Sequence, residues 1–308
     1  MYNGSEEVFL YLRSPSTQKY YRLSGIQNAS FSHSTNESST RLLLSDEQKT
    51  GRLMQRTNRR FSSPQSVSCS FDKCYINQDF IKTFTGLNNV SGAFLYGDSY
   101  LAFDDAVINQ YSVTLTPSQI PKISVGMDIY GNLQPTGAAS FESKAEKQDF
   151  YELQKINPTG VVLNYGNKLS PVQSFGYTAS FSHMPTYEID SIKSSTVRLK
   201  DPIVVNTSAR LELLEREFDS ITGVVEGQDT LRFETFASGG HIEGTGRDLA
   251  STAFEFSIKG ETGNILDTFP IGNNVILQSQ DLSITTNDTI SLSLKHKGEL
   301  FLNIDEHN

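Results

Sequence analysis

The chain has 308 residues, 26 Lys+Arg against 35 Asp+Glu, and no Trp, a length that allows two domains of ordinary size, each with its own core. The formal charge of −9 belongs to the second half: residues 1–150 hold 14 basic and 14 acidic side chains, leaving 12 and 21 for residues 151–308. That balance excludes a general nucleic-acid binder, which needs clustered Lys and Arg, and no window approaches the roughly 18 consecutive apolar residues of a membrane-spanning helix.

The chain opens MYNGSEEVFLYLRSPS, without a basic start or a sustained apolar run. This is not the pattern of a secretory signal, so synthesis and first folding are expected in a cytoplasm. ASFSH follows at 29–33 and SSTRLLL at 38–44. Residues 48–60 read QKTGRLMQRTNRR and place Lys49, Arg52, Arg56, Arg59 and Arg60 between two predicted strands. Two readings stand: a solvated loop, or a docking arm that meets the acidic second half of a neighbouring molecule, where complementary charge fixes register more than affinity.

SVSCSF at 66–71 reads as a strand, with Cys69 and Cys74 as free thiols whose spacing suits no zinc site. NQDFIKTFTG offers Asn77 as a helix cap and Gly86 as a stop. Tyr111, Val113 and Leu115 alternate with polar residues, as do Ile123, Val125, Met127 and Ile129; two such runs across TPSQIPK predict an antiparallel strand pair. The charged stretch 138–160, ending at Asn157-Pro158, is expected to be a partly helical linker.

ASFSH recurs at 179–183, inside an alternating run Phe175, Tyr177, Ala179, Phe181, His183. The order of the first half then returns: SSTVRLK (194–200) after SSTRLLL, SARLEL (208–213) after SVSCSF, REFDSITG (216–223) after QDFIKTFTG, and ISLSLKHKG (290–298) after ISVGMDIYG (123–131). Leu211, Leu214, Phe218 and Ile221, stopping at Gly223, have helical spacing. Five ordered matches predict a duplication. The expected fold is mainly β (α+β): two tandem β-sandwich or barrel domains, 1–135 and 166–308, each with one short flanking helix, joined by the linker 136–165.

No catalytic constellation emerges. His33 and His183 hold equivalent places in the repeat and read as structural residues, and His307 lies in the tail. The neighbours Asp104 and Asp105 would point to opposite strand faces, and Glu212, Glu215, Glu217 and Asp219 read as a solvated face. GGHIEGTGRD (239–248) lacks the signature of a phosphate loop and reads as a hairpin tip. The expectation is a non-enzyme without cofactor or metal, and the several N-x-S/T triplets count as accidents of a Ser/Thr-rich composition.

The stretch YSVTLTPSQIPKISVGMDIYG (111–131), with the two-copy plan around it, resembles the tail tube proteins of long-tailed bacteriophages. The resemblance implies β-sandwich domains with a flanking helix, six to a ring, whose sheets join into one inner barrel; in the duplicated form three chains make a pseudo-hexameric ring. It also implies stacking of rings through loops such as 48–60, partners that are other copies and other tail proteins, DNA passing through unbound, and a place in the virion tail. Alternatives are a tail-tip or tail-completion ring protein, or a two-domain β module binding carbohydrate or a receptor, which the lack of Trp disfavours.

Overall fold

The computed structural model describes residues 8–15, 18–34, 37–44, 55–62, 66–75, 80–116, 119–136, 145–147, 156–165, 168–188, 194–213, 254–260, 265–272, 276–283 and 290–300. Among them the chain is almost entirely strand. The first half contributes β1 (Val8–Arg13), β2 (Tyr20–Ser34), β3 (Glu37–Leu44), β4 (Gln55–Ser62), β5 (Ser66–Cys74), β6 (Val90–Tyr96), β7 (Ser99–Leu115), β8 (Lys122–Ile129) and β9 (Leu133–Thr136). After β10 (Ala145–Lys147) come β11 (Ile156–Tyr165), β12 (Lys168–Tyr187), β13 (Ser194–Leu213), β14 (Phe254–Gly260), β15 (Ile265–Gly272), β16 (Ile276–Ser283) and β17 (Ile290–Leu300).

Six strands of the first half close on themselves. β1 pairs with β2 and β6, β2 with β5, β5 with β8, β8 with β7 and β7 with β6, all antiparallel. The predicted pair is in register, with Tyr111 opposite Val125 and Val113 opposite Ile123. Alternation puts one side chain in two inside the barrel, so Leu10, Leu12, Phe71, Phe94, Phe103, Tyr111 and Met127 form its core. Space there is tight. A Cβ on Gly92 of β6 would strike the Tyr11 carbonyl oxygen and approach Phe103 Cζ to 2.7 Å. Gly92→Ala is therefore expected to destabilise by about 1–3 kcal/mol, the usual cost of overpacking, and a urea midpoint equal to that of the parent would contradict it.

The second half repeats the connectivity. β11 pairs with β12 and β14, β12 with β13, β14 with β15 and β13 with β17. β15 and β16 together take the place of the long β7: the first pairs with β14 as β7 does with β6, and the second pairs with β17 as β7 does with β8. One connectivity used twice is the pattern a duplication requires.

Several expectations are corrected in detail. The described part of the linker is strand: β10 runs parallel to Tyr20–Arg22, and β11 opens the second barrel. The apolar run Val161, Val162, Leu163 forms the ladders with β12 and β14, and pairing on both sides outweighs the weak helix preference of the charged residues before it. The first predicted helix shrinks to a single 3₁₀ turn, Phe80–Phe84, ending at Gly86 with φ 81°; one isolated turn cannot repay helix nucleation. Of the second, Leu211 belongs to β13, and the rest, 214–223, lies outside the described residues. REFDSITG and GGHIEGTGRD also lie outside the described residues.

Candidate assembly interface at the junction of the two barrels

The two barrels share an edge. β7, already bound to β8, pairs on its other side with β12: Leu115 lies opposite Phe175, Val113 opposite Tyr177, Ser112 opposite Thr178 and Tyr111 opposite Ala179. Odd positions on both strands are apolar and even ones small and polar, so the two patterns meet in phase and one core-facing side runs on into the other. Through this ladder β2, β5, β8, β7, β12, β13, β17 and β16 follow one another as a continuous sheet.

On the core side, an aromatic cluster of the second barrel lies beside the seam. Phe269 of β15 is fully buried, its ring centroid 5.7 Å from Phe175 and 5.1 Å from Tyr177. Burial, aided by the Asp267 carboxylate, pushes the Tyr177 phenol up, and its hydroxyl donates to the Pro270 carbonyl at 3.1 Å. The 3₁₀ turn of the first barrel reaches across to the same strand. Lys82 Nζ donates to Asp267 Oδ1 at 2.5 Å and to the Thr268 carbonyl at 2.9 Å, and sits 4.1 Å from the Phe269 ring centroid. Tyr75 donates to the other Asp267 oxygen at 3.0 Å.

The opposite face of the sheet is open and polar. Asn28 and Ser124 both donate to Asp72, Lys122 pairs with it at 2.8 Å, Ser30 and Ser70 share a hydrogen bond of 2.8 Å, and Asn109 donates to Asp128 at 2.8 Å. A shallow groove of about 430 Å³ lies over the seam, lined by Ser112, Thr114, Gly176, Thr178, Asn206 and Lys295 among others. Its hydroxyls and amides can hydrogen-bond a polar surface laid over it.

No family model matches the chain. Neither does any curated protein.

The predicted contact residues are not at this seam. Arg56, Arg59 and Arg60 stand on β4, opposite Leu43, Thr40 and Ser39 of β3, in a two-stranded sheet of its own; the segment read as a loop is a strand from Gln55 onward. Lys49 and Arg52 lie outside the described residues.

The two equivalent histidines differ in surroundings. His33 is exposed, while His183 is half-buried with Nδ1 3.1 Å from the Phe181 carbonyl, and burial holds its pKa below the ordinary value. Both cysteines are free; Cys69 is in the core, where burial pushes its thiol up to about 12. Asp104 accepts from the backbone and side-chain nitrogens of Asn132 and so holds the turn after β8. Among the described residues no group of three or more His, Cys, Asp or Glu could hold a metal ion.

Sequence reading missed Tyr75, Lys82, Asp267 and Phe269. Tyr75 and Lys82 lie 192 and 185 positions from Asp267, and pairing at that distance leaves no local signal. The alternation of residues 111–115 and of residues 175–181 is visible in the sequence, but the two runs fall in separate predicted domains, and nothing local tells that they pair.

Proposed function

We propose that this chain is a structural virion protein, the tail tube subunit of a long-tailed bacteriophage. Three copies would form a ring of six barrels, and stacked rings would enclose a channel for DNA. The observation that carries the reading is the β7–β12 seam: two barrels of like connectivity are already joined edge to edge within one chain. A contact between unlike edges can be repeated between chains until it closes, and closing rings stack into tubes.

The polar face supports a channel lining. Its described charges have both signs, among them Asp72, Asp128, Asp281 and Glu299 against Lys122, Arg210, Lys295 and Lys297, set among Ser, Thr, Asn and Gly. With acidic side chains set among basic ones, such a surface would hold phosphate less tightly than a purely cationic one. This differs from the net negative lining that overall charge suggests, and it needs no cofactor. The separate β3–β4 sheet, with Arg56, Arg59 and Arg60 on one strand, is suited to contact between rings or with other tail proteins.

Electron microscopy of negatively stained protein over a range of concentrations tests the reading: tubes or stacked rings are expected. Single rings that never stack would favour a tail-tip or tail-completion protein, and a monomer at every concentration would overturn self-assembly. Replacing Arg56, Arg59 and Arg60 together by Ala is expected to shift stacking to several-fold higher concentration while thermal unfolding stays within a few degrees. Unchanged stacking would remove these residues from the contact.

A further inference from the structure

The junction between the barrels is held at two levels. In the sheet, six residue pairs from Leu115–Phe175 to Gln110–Ser180 join β7 to β12. Neighbouring strands twist against each other by about −10° to −35°, so a single ladder leaves the angle between two barrels loose by about 25°. Behind it, on the core side, a second connection runs from Tyr75 and the 3₁₀ turn of the first barrel to β15 of the second.

Both ends of that connection are anchored. Ile81 and Phe84 of the turn are fully buried in the first core, and Phe84 stands edge-on to Tyr21 with ring centroids 5.5 Å apart. The Lys82 carbonyl accepts from the Thr85 hydroxyl at 2.7 Å. Tyr75 is buried, and its backbone N–H donates to the Pro121 carbonyl at 2.8 Å. At the far end Asp267 accepts from the Thr268 N–H at 2.8 Å, while Phe269, two residues on, packs against Phe175 and Tyr177 of β12.

Between these anchors, one Asp267 oxygen takes the Lys82 ammonium and the other takes the Tyr75 hydroxyl. A carboxylate held at both oxygens has a fixed orientation as well as a fixed distance. The contacts close a triangle. The first core leads to Lys82 and Tyr75, these lead to Asp267 and through Phe269 to β12, and the ladder leads from β12 back to β7.

From this geometry we propose that Tyr75, Lys82 and Asp267 form a strut that sets the angle between the two barrels, and with it the number of chains that close a ring; the second part rests on the ring of three chains read above. Closure needs each chain to turn the ring by about 120° for three copies and about 90° for four. That difference of about 30° is comparable with the looseness of one ladder. The strut removes the looseness inside the chain, so the second barrel meets the next copy at one angle.

Variants of the full-length protein test it. Nitroxides on Ser70→Cys of β5 and Lys295→Cys of β17, in a Cys74→Ser background with Cys69 left buried, stand five strand spacings apart on one face, about 24 Å. Pulsed electron resonance on dilute protein is expected to give one narrow distance distribution for the parent. Lys82→Glu sets two carboxylates face to face. It is expected to widen the distribution at least two-fold and, in electron micrographs, to raise several-fold the share of open arcs and of rings with other than three chains. Asp267→Asn keeps the size of the side chain and is expected to act the same way to a smaller degree. Lys82→Glu with Asp267→Lys restores opposed charges and is expected to reverse both effects. Distributions as narrow as the parent's in both single variants would overturn the strut. A widened distribution with rings of three chains alone would overturn its role in ring size. A parent that stays monomeric at every concentration would overturn the ring reading and that role together, while the widths would still decide whether the strut fixes the angle.

Discussion

Phe269→Ala is expected to cost roughly 3–5 kcal/mol, the range for removing a fully buried phenylalanine. The ring touches Phe175 and Tyr177 and carries Lys82 on its face, and Phe175 itself sits in the β7–β12 ladder. The cavity would thus open beneath the seam, and the expected consequence is that the two barrels lose their mutual support as well as one core contact. Chemical denaturation followed by tyrosine fluorescence should show a lower midpoint and two separated transitions. Lys82→Ala removes the ammonium from the ring, from Asp267 and from the Thr268 carbonyl together; with about 1 kcal/mol for a partly exposed cation over a ring and about 0–1 kcal/mol for a partly exposed ion pair, its effect should be smaller than that of Phe269→Ala. A Phe269→Ala variant as stable as the parent would show that the seam does not depend on this cluster.

The second large effect is a dependence on pH. His296 lies in the core of the second barrel, 4% exposed, with Nδ1 3.5 Å from Thr207 Oγ1, and burial brings its pKa down to about 4 from an ordinary 6.5. The unfolded chain therefore takes up a proton between those values that the folded chain refuses. Stability from this residue is complete above about pH 6.5, declines as pH falls, and is lost by about pH 4; at 1.36 kcal/mol per pKa unit the loss is about 3 kcal/mol. Carboxylates titrate in the same range, so the measurement is a difference: stability from pH 8 to pH 4 for the parent against His296→Gln. The variant's curve should be flatter by that amount, and parallel curves would rule the effect out. His183, with its pKa also lowered by burial, acts in the same direction.

How legible the fold was depends on the kind of signal. The twice-written ASFSH is a true register mark: Ala29 faces Phe71 and Ala179 faces Val205, each on the strand that follows in its own barrel. Other matches reached the right conclusion by wrong correspondences. SSTRLLL pairs forward with residues 55–62, while SSTVRLK pairs back with residues 182–187, so the two lie on opposite sides of their hairpins. Val205, not Leu213, occupies the place of Phe71, and Gly298, not Leu292, the place of Val125. Alternating strands tolerate such slips because any even shift preserves the buried face. The pattern alone cannot separate true register from a shifted one.

By itself the sequence determined the strand class, the faces of the strands around 111–129 and 175–183, and the doubling of the plan, because each is a local property of alternation or of repeated order. Only tertiary structure decided that β15 and β16 replace one long strand, that β7 meets β12, and that Lys82 and Tyr75 close on Asp267. Those contacts join residues far apart in the chain, and their selection depends on which edges remain unpaired once each barrel has closed.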